Sequence, residues 1–463
     1  MNGSVVWFAG DLRLADHPAM QAAVGRGGPV IPAFVWAPDS DAGGASRWWL
    51  HQSLTKLAAE LEAKGSRLIV RRGPAADVLA EVALECEART VHWNRRYEPA
   101  AAEEERAVEG RLRAEGIEPQ SFPGNLLFEP GSILNASGKP FQVFTAFWKA
   151  CLAAKPPAEP LPAPRRIPAP ARWPASLAIS DLRLEPTVDW AGGLLETWEP
   201  GETGAARQWR EFRHKGLSEY AVERNRPDHR GTSRLSPHLH FGEISVRQVW
   251  HEAPAGGEYA RQIVWREFSY HLLHHFPRTA KEPLRPEFAR FPWRMDAKAL
   301  RAWTRGRTGY PLVDAGMREL WHTGWMHNRV RMLAASFLVK HLLIPWQEGA
   351  AWFWDTLVDA DLANNTMGWQ WTAGCGADAA PYFRIFNPVL QGEKFDPEGA
   401  YVRRWVPELA SLGNEWIHRP WSAPPLALAE AGITLGQTYP WPIVEHEAAR
   451  QRALEALATI RTR

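Results

Sequence analysis

SVVWF, residues 4–8, is a short apolar run with two adjacent valines, and it reads as a buried strand. Four further runs of the same kind follow at intervals: VIPAFVW at 30–36, RLIVRR at 67–72, TVHWN at 90–94 and IEPQSF at 117–122. Helical patterns fill the gaps at 47–64, 75–88 and 99–115. In the first of these, Trp48, Leu50, Leu54, Leu57, Ala58 and Leu61 recur close to a 3.6-residue period. Strands alternating with helices of this length predict a doubly wound parallel sheet with helices on both faces. Residues 1–125 are therefore expected to form an α/β domain. Such sheets bind ligands at the carboxyl ends of their strands. No GxGxxG follows the first strand, so the dinucleotide fingerprint is absent.

The pattern then changes twice. Residues 153–190 hold nine prolines, which argues against a stable helix or a central strand. Residues 126–200 are expected to be an inter-domain linker. From about 203 onward helical periodicity dominates, at 203–215, 243–251, 258–276, 296–305, 311–323, 325–343, 347–357 and 446–460. The expected division is a domain at 1–125, the linker at 126–200 and a mostly α-helical domain at 201–463.

Composition excludes several classes. With 463 residues, 45% hydrophobic and 23% charged, the chain is an ordinary globular sequence rather than a disordered one. Its three cysteines, Cys86, Cys151 and Cys375, show no CxxC spacing, which excludes a disulfide framework and a cysteine-rich zinc site. A reducing, cytoplasmic setting is expected. There is no signal-peptide pattern at the start, and no run of about 18 apolar residues to span a membrane. Residues 201–463 carry 33 basic and 28 acidic side chains, and 28 of the basic ones are Arg. That bias suits recognition of phosphates and planar groups, although on charge alone a solvated surface is the simpler reading. The 25 Trp far exceed ordinary usage. They read either as a Trp-rich core or, in part, as stacking surfaces and redox groups.

Four stretches carry candidate chemistry. GTSRLSPHLHFGEIS at 231–245 offers backbone N–H groups, hydroxyls and Arg234 to a phosphate; the plainer reading is a helix capped by Ser236 before Pro237. WMHNRVRMLAASF at 325–337 places Asn328, Arg331 and Met332 on one helical face, where a partly buried Arg331 needs an acid. DTLVDADLANNTMGWQW at 355–371 supplies Asp359, Asp361, Asn364 and Asn365, then Trp369 and Trp371. It lacks the glycine and terminal Glu of a calcium loop, so a metal is not expected; the acceptors and amides suit hydrogen bonds to a heterocycle. YARQIVWREFSYHLLHHFP at 259–277 puts Gln262, Trp265, Arg266 and Ser269 on one face, either as a stacking platform with a phosphate anchor or as a core Trp beside a surface Arg.

Taken in order, WFAGDLRLADHPA, GTSRLS, WREF, TGYPLVDAGMRELWHTGWMHNRVRM, DADLANN, GWQW and FNPVLQGEKFDPEGAYVRRWVPEL resemble the photolyase/cryptochrome family over essentially the whole chain. The resemblance implies an N-terminal α/β antenna domain, a long linker and a helical FAD domain. It also implies light-driven repair of pyrimidine dimers in DNA by electron donation from reduced FAD. The loop with Tyr220, Thr232, Ser233, Arg234, Leu235 and Ser236 is then expected at the FAD phosphates. Arg331 paired with Asp359 is expected over the flavin, Asp361 at its ring edge and Asn365 facing N5. Trp369, Trp346 and Trp293 match the family's electron relay. Trp265 and Trp371 match the walls of the pocket for a flipped dimer, with Gln262, Asn328 and Met332 around it. Arg266, Arg329, Arg384 and Gln391 match positions near the DNA backbone.

Subfamily details are mixed. Gln262 stands where cyclobutane-dimer photolyases often carry Glu, and it resembles the (6-4) photolyases. Asn328 and Met332 stand where those enzymes use two His. GMRELW, FWDTLVDADL and LQGEKFDPEGAY resemble plant cryptochromes and the bacterial photolyases nearest to them. Asn365 in place of Asp, and an end soon after the last helix, favour repair over signalling. A second chromophore is expected in the antenna domain: methenyltetrahydrofolate first, a deazaflavin or FMN otherwise. Trp48, Trp49 and Glu98 are its candidate contacts, with the two Trp alternatively packing their helix. A monomer is expected.

Overall fold

The structure, a computed structural model, describes residues 3–37, 41–378 and 383–461. The described chain divides into two compact units. One runs to Lys215 and takes in Arg234–Pro277; the other holds Gly216–Ser233 and the chain from Arg278 on.

The first unit is built on five parallel strands: β1 (Gly3–Phe8), β2 (Val30–Trp36), β3 (Ile69–Arg72), β4 (Ala88–Asn94) and β5 (Glu118–Phe122), in the order β3-β2-β1-β4-β5. All six residues of β1 are buried, as a central strand covered on both faces requires. The helices that cover it are α1 (Pro18–Gly25), α2 (Gly44–Ala63), α3 (Ala75–Glu85) and α4 (Pro99–Ala114). Val5 and Trp7 of β1 pack with Leu79 and Val82 of α3 and with Val108 and Leu112 of α4. The strand order reverses at β1, and there the carboxyl ends of β1 and β4 meet. A buried polar network fills that place. Asp11 accepts from Asn94 Nδ2 at 2.7 Å and lies 2.9 Å from His17 Nε2. Burial pushes the Asp11 carboxyl up, but His17 and Arg13 outweigh it and hold the pKa at about 2.

The rest of this unit is helical: α5 (Phe144–Ala153), α6 (Gly192–Thr197) and α7 (Glu202–Lys215), and after the excursion into the second unit α9 (Ser236–His240), α10 (Val246–Glu252) and α11 (Glu258–His275). The proline-rich stretch is irregular apart from one 3-10 turn at Ile179–Leu182, as its composition predicts. It is nonetheless bonded to its own unit. Val30 N donates to Pro168 O at 2.8 Å, Leu177 N to Val70 O at 2.9 Å and Val70 N to Ser176 Oγ at 2.9 Å, so the stretch covers the free edge of β3.

The second unit contains α8 (Tyr220–Glu223), α12 (Ala297–Thr304), α13 (Pro311–Thr323), α14 (Asn328–Ser336), α15 (Trp346–Thr356), α16 (Leu362–Ala373), α17 (Pro388–Phe395), α18 (Ala400–Trp405), α19 (Pro425–Glu430) and α20 (His446–Arg461). Its core joins Trp303, Tyr310, Leu333, Phe337, Trp346, Phe353, Trp369 and Tyr401. The helix expected over 325–343 runs from Asn328 to His341, with its last turn π-helical. Gly324 ends α13 at φ 66°, His327 caps α14 by accepting from Arg329 N at 3.2 Å, and a π-helical turn at Phe337–His341 follows Ser336.

Candidate functional site

In the second unit the turn between α15 and α16 faces α14. Asp359 lies in that turn and Arg331 on α14. Arg331 Nη1 and Nη2 donate to the two carboxylate oxygens of Asp359 at 3.0 and 2.8 Å, and its Nε donates to Met326 O at 2.6 Å. A two-pronged pair of this kind fixes the guanidinium plane as well as its position. The Asp359 side chain is 3% accessible and that of Arg331 23%, so the acid is sealed and the base keeps an open edge.

Asp361 starts α16. Its Oδ1 accepts from Asn364 N at 2.8 Å and from Asn364 Nδ2 at 2.7 Å, capping the helix. One turn on, Asn365 Nδ2 donates to Ala350 O of α15 at 3.1 Å. That bond fixes the amide's rotation and settles which of its ends is left for a ligand. Trp369, two turns along α16, is 2% exposed, edge-on to Phe353 at 5.0 Å and to Trp303 at 6.2 Å. Trp346 opens α15 and is equally buried. Trp293 is half-buried and lies 4.4 Å from Phe291. Trp371 is half-buried, with its Nε1 donating to Asp378 O at 3.1 Å.

On α14, Asn328 Nδ2 reaches Met332 Sδ at 3.9 Å, so these two share a face as the spacing predicts. Arg331 turns away from them toward Asp359. Arg329 is committed inside the unit: it donates to Asn225 Oδ1, and its guanidinium sits 4.6 Å over Phe395. Arg384 is exposed, and Gln391 is half-buried on α17. The 231–236 stretch is shared between the units, with Thr232 and Ser233 in the second and Arg234, Leu235 and Ser236 in the first. Tyr220, at the start of α8, is 8% exposed. A Cβ on Gly231 would lie 2.3 Å from Glu223 O, which explains a glycine where this stretch passes the last residue of α8. Helix α9 starts at Ser236 itself, with Leu235 in the cap position; the reading of Ser236 as its capping residue is therefore wrong. Arg234 holds φ at 52°, a turn that lets Pro237 enter the first helical turn.

In the first unit, α11 carries Gln262, Trp265 and Arg266. Gln262 Nε2 donates to Glu258 Oε1 at 3.0 Å, one turn back. One face of Trp265 is covered by Phe144 of α5, with centroids 3.6 Å apart and planes within 7°. Arg266 donates to Asn125 O at 2.7 Å and its side chain is 12% accessible, so its charge serves contacts within the unit. Sequence reading passed over the acid beside it. Glu267 is 3% exposed and accepts from Leu127 N and Phe128 N at 2.8 and 3.2 Å. Burial pushes its carboxyl up to about 7, against the pull of Arg266 and those two N–H groups.

Trp48 and Trp49 are both buried. Trp49 donates to Glu243 Oε1 at 2.9 Å and packs among Trp198, His238 and Phe241. Their burial matches the packing role that the sequence also offered. Glu98 accepts from Tyr270 Oη at 3.1 Å. Among the described residues no group of three or more His, Cys, Asp or Glu could hold a metal, and no helix is long and apolar enough to cross a membrane.

These features define a protein with a doubly wound sheet unit and a helical unit rich in buried Trp, the latter holding a paired guanidinium beside two amides. Residues 4–165 match the family model described as DNA photolyase, and residues 259–459 match the one described as FAD binding domain of DNA photolyase. The chain is 50% identical to a deoxyribodipyrimidine photo-lyase of Agrobacterium fabrum, over 99% of this chain and 98% of that protein. It is 42% identical to cryptochrome-1 of Arabidopsis thaliana, over 98% of this chain and 70% of that protein. The crystal structure of a bacterial class III photolyase from Agrobacterium tumefaciens superposes with a TM-score of 0.97 at 48% identity, covering 100% and 98% of the two chains. The chain belongs to the photolyase/cryptochrome family. The residues present fit its cofactor: a half-open guanidinium locked by a sealed carboxylate, with a fixed amide one helix away, is a donor set suited to the edge of a flavin ring.

Proposed function

We propose that the protein is a DNA photolyase that repairs cyclobutane pyrimidine dimers, with FAD as its cofactor. The identity of 50% along the whole length of a deoxyribodipyrimidine photo-lyase carries this reading. Bound FAD supplies the light-driven electron donation. Arg331, locked by Asp359, would place positive charge over the flavin, with Asp361 at its ring edge and Asn365 facing N5. Tyr220, Thr232, Ser233, Arg234, Leu235 and Ser236 hold the phosphates. Trp369, Trp346 and Trp293 would pass electrons inward to restore the reduced cofactor; the first two are buried and the third half-buried, which suits that order.

On the DNA side, Trp265 and Trp371 wall the lesion, with Gln262, Asn328 and Met332 at its bases. The exposed Arg384 is the best placed of the cations for a phosphate; Arg266, Arg329 and Gln391 are the further positions near the DNA backbone, the two cations being engaged within their own units. The functional division is an antenna domain at 1–125, a linker at 126–200 and the FAD and DNA domain at 201–463. The antenna chromophore is methenyltetrahydrofolate, and the protein works as a cytoplasmic monomer.

Blue-light repair of a single thymine dimer in a defined oligonucleotide, with a chemical reductant present, tests the activity. Repair is expected. Repair of (6-4) lesions alone would move Gln262 from a neutral substitute for an acid to a mark of the other lesion. Failure on both lesions by flavin-loaded protein would leave a light sensor.

A further inference from the structure

Lys340 is a buried cation that none of this chemistry uses. It sits in the π-helical turn Phe337–His341 and is 4% exposed. Burying an ammonium is costly unless polar or aromatic groups replace its water. Among the described residues, Lys340 has no carboxylate partner. Its Nζ donates to the backbone carbonyl of Arg384 and lies 4.6 Å over the ring of Phe383. Both partners thus come from adjacent residues of one segment. Burial pushes the Lys340 pKa down to about 7, with Arg384 adding to the shift and Cys375 opposing it.

Beyond the Lys340 contacts, Phe383, Ile385 and Phe386 of this segment pack against the core by apolar contact. Phe383 lies 6.1 Å from Phe291, and a Cβ on Gly374 would sit 3.2 Å from its ring. The next residue, Arg384, is exposed. A carbonyl clamped from below fixes the backbone from which the guanidinium of Arg384 projects.

We propose that Lys340 is a positioning residue for DNA binding: by holding the Arg384 carbonyl and the Phe383 ring, it aims Arg384 at a phosphate of the damaged strand. This rests on the reading of Arg384 as a DNA-backbone contact. A lysine that merely fills the core would affect stability and leave the number of phosphate contacts unchanged. The salt dependence of binding counts those contacts, since each one neutralised contributes a slope of about 0.9 in log K against log salt.

The experiment uses flavin-loaded protein, with flavin content as the check on folding. Dark binding to an oligonucleotide bearing one thymine dimer is measured over a salt series for wild type, Arg384→Ala, Lys340→Met, Phe383→Leu and the double variant K340M/R384A. Arg384→Ala is expected to reduce the slope by about 0.9. Lys340→Met is expected to match it, the double variant to lose no more than either single one, and Phe383→Leu to lose part. Phe383→Leu keeps the ammonium and removes one of its two holds, so it tests the clamp even if Lys340→Met fails to fold. A full slope in Phe383→Leu or Lys340→Met beside a reduced one in Arg384→Ala overturns the positioning role. A full slope in Arg384→Ala overturns instead the assignment of Arg384 to a phosphate.

Discussion

At the scale of single residues, the Arg331–Asp359 pair and Glu267 make opposite uses of burial. Asp359 is sealed but its partner is partly open. Asp359→Ala leaves the Arg331 guanidinium without its carboxylate at the proposed flavin site and is expected to cost about 3 kcal/mol, the low end for a broken buried pair. Flavin content after gel filtration and the denaturation midpoint read this out; full flavin retention would remove the pair from the cofactor site. Glu267 has a pKa raised to about 7 from an ordinary 4.5, chiefly by burial. Its folded value exceeds its unfolded one, so the stability it contributes is complete below about 4.5 and is lost as pH rises to about 7. The loss is on the order of 3 kcal/mol. Glu267→Gln, which cannot ionise, is expected to flatten that slope in denaturation measured across this range. An equally steep slope in the variant would show that Glu267 is not its source. The pair at 331 and 359 was legible in the sequence because a helical arginine with an acid nearby is a pattern. Glu267 was not, because its environment comes from Leu127 and Phe128, which no local pattern links to it.

At the scale of elements, contact between α15 and α16 sets the place of Trp369. Gly349 of α15 has no side chain because there is no room for one: a Cβ there would lie 2.1 Å from Trp369 Cη2 and 2.6 Å from Leu338 Cδ2. Gly349→Ala is expected to lower stability by about 1–3 kcal/mol, the cost of overpacking. It should also change the rate at which light reduces oxidised FAD, in the same direction as Trp369→Phe, while enzyme reduced chemically still repairs. A rate equal to wild type would separate the glycine from the relay. Helix α16 itself went unread in the sequence. Apart from Trp369, its buried residues, Ala363, Thr366, Gln370, Thr372 and Ala373, are small or polar and leave no clear apolar stripe. Gln370, for example, is buried by donating to Thr279 O at 2.6 Å and Glu282 O at 2.8 Å. Helix α5 was missed for a different reason: it falls inside the stretch expected to be linker, and Phe144 and Phe147 bury it against α11.

At the scale of the whole molecule, the proline-rich stretch is the part whose character composition least describes. Nine prolines predict an absence of regular structure, and that is found; a loose tether is not. Leu161 N, Ile167 N and Leu177 N all donate to the first unit, to Asp16 Oδ1, Lys64 O and Val70 O. Limited proteolysis of the native protein is therefore expected to spare residues 161–177. Early cleavage there would mean that these bonds do not hold the stretch in solution.

Periodicity and composition were enough to determine the five strands and three of the four helices in the first 125 residues, because a central parallel strand must be apolar throughout and a long covering helix apolar on one face; α1 (Pro18–Gly25), only eight residues long, was not among them. They also marked the helical character of the remainder and, through motifs of fixed spacing, the residues at 328–332 and 359–371. Tertiary structure decided the rest, since charge and burial depend on neighbours distant in sequence. It withdrew Trp48 and Trp49 into the core, set Arg266 and Arg329 to contacts within their units, widened the last turn of α14 after Ser336 into a π turn, and buried Lys340 beneath Arg384, 44 residues further along the chain.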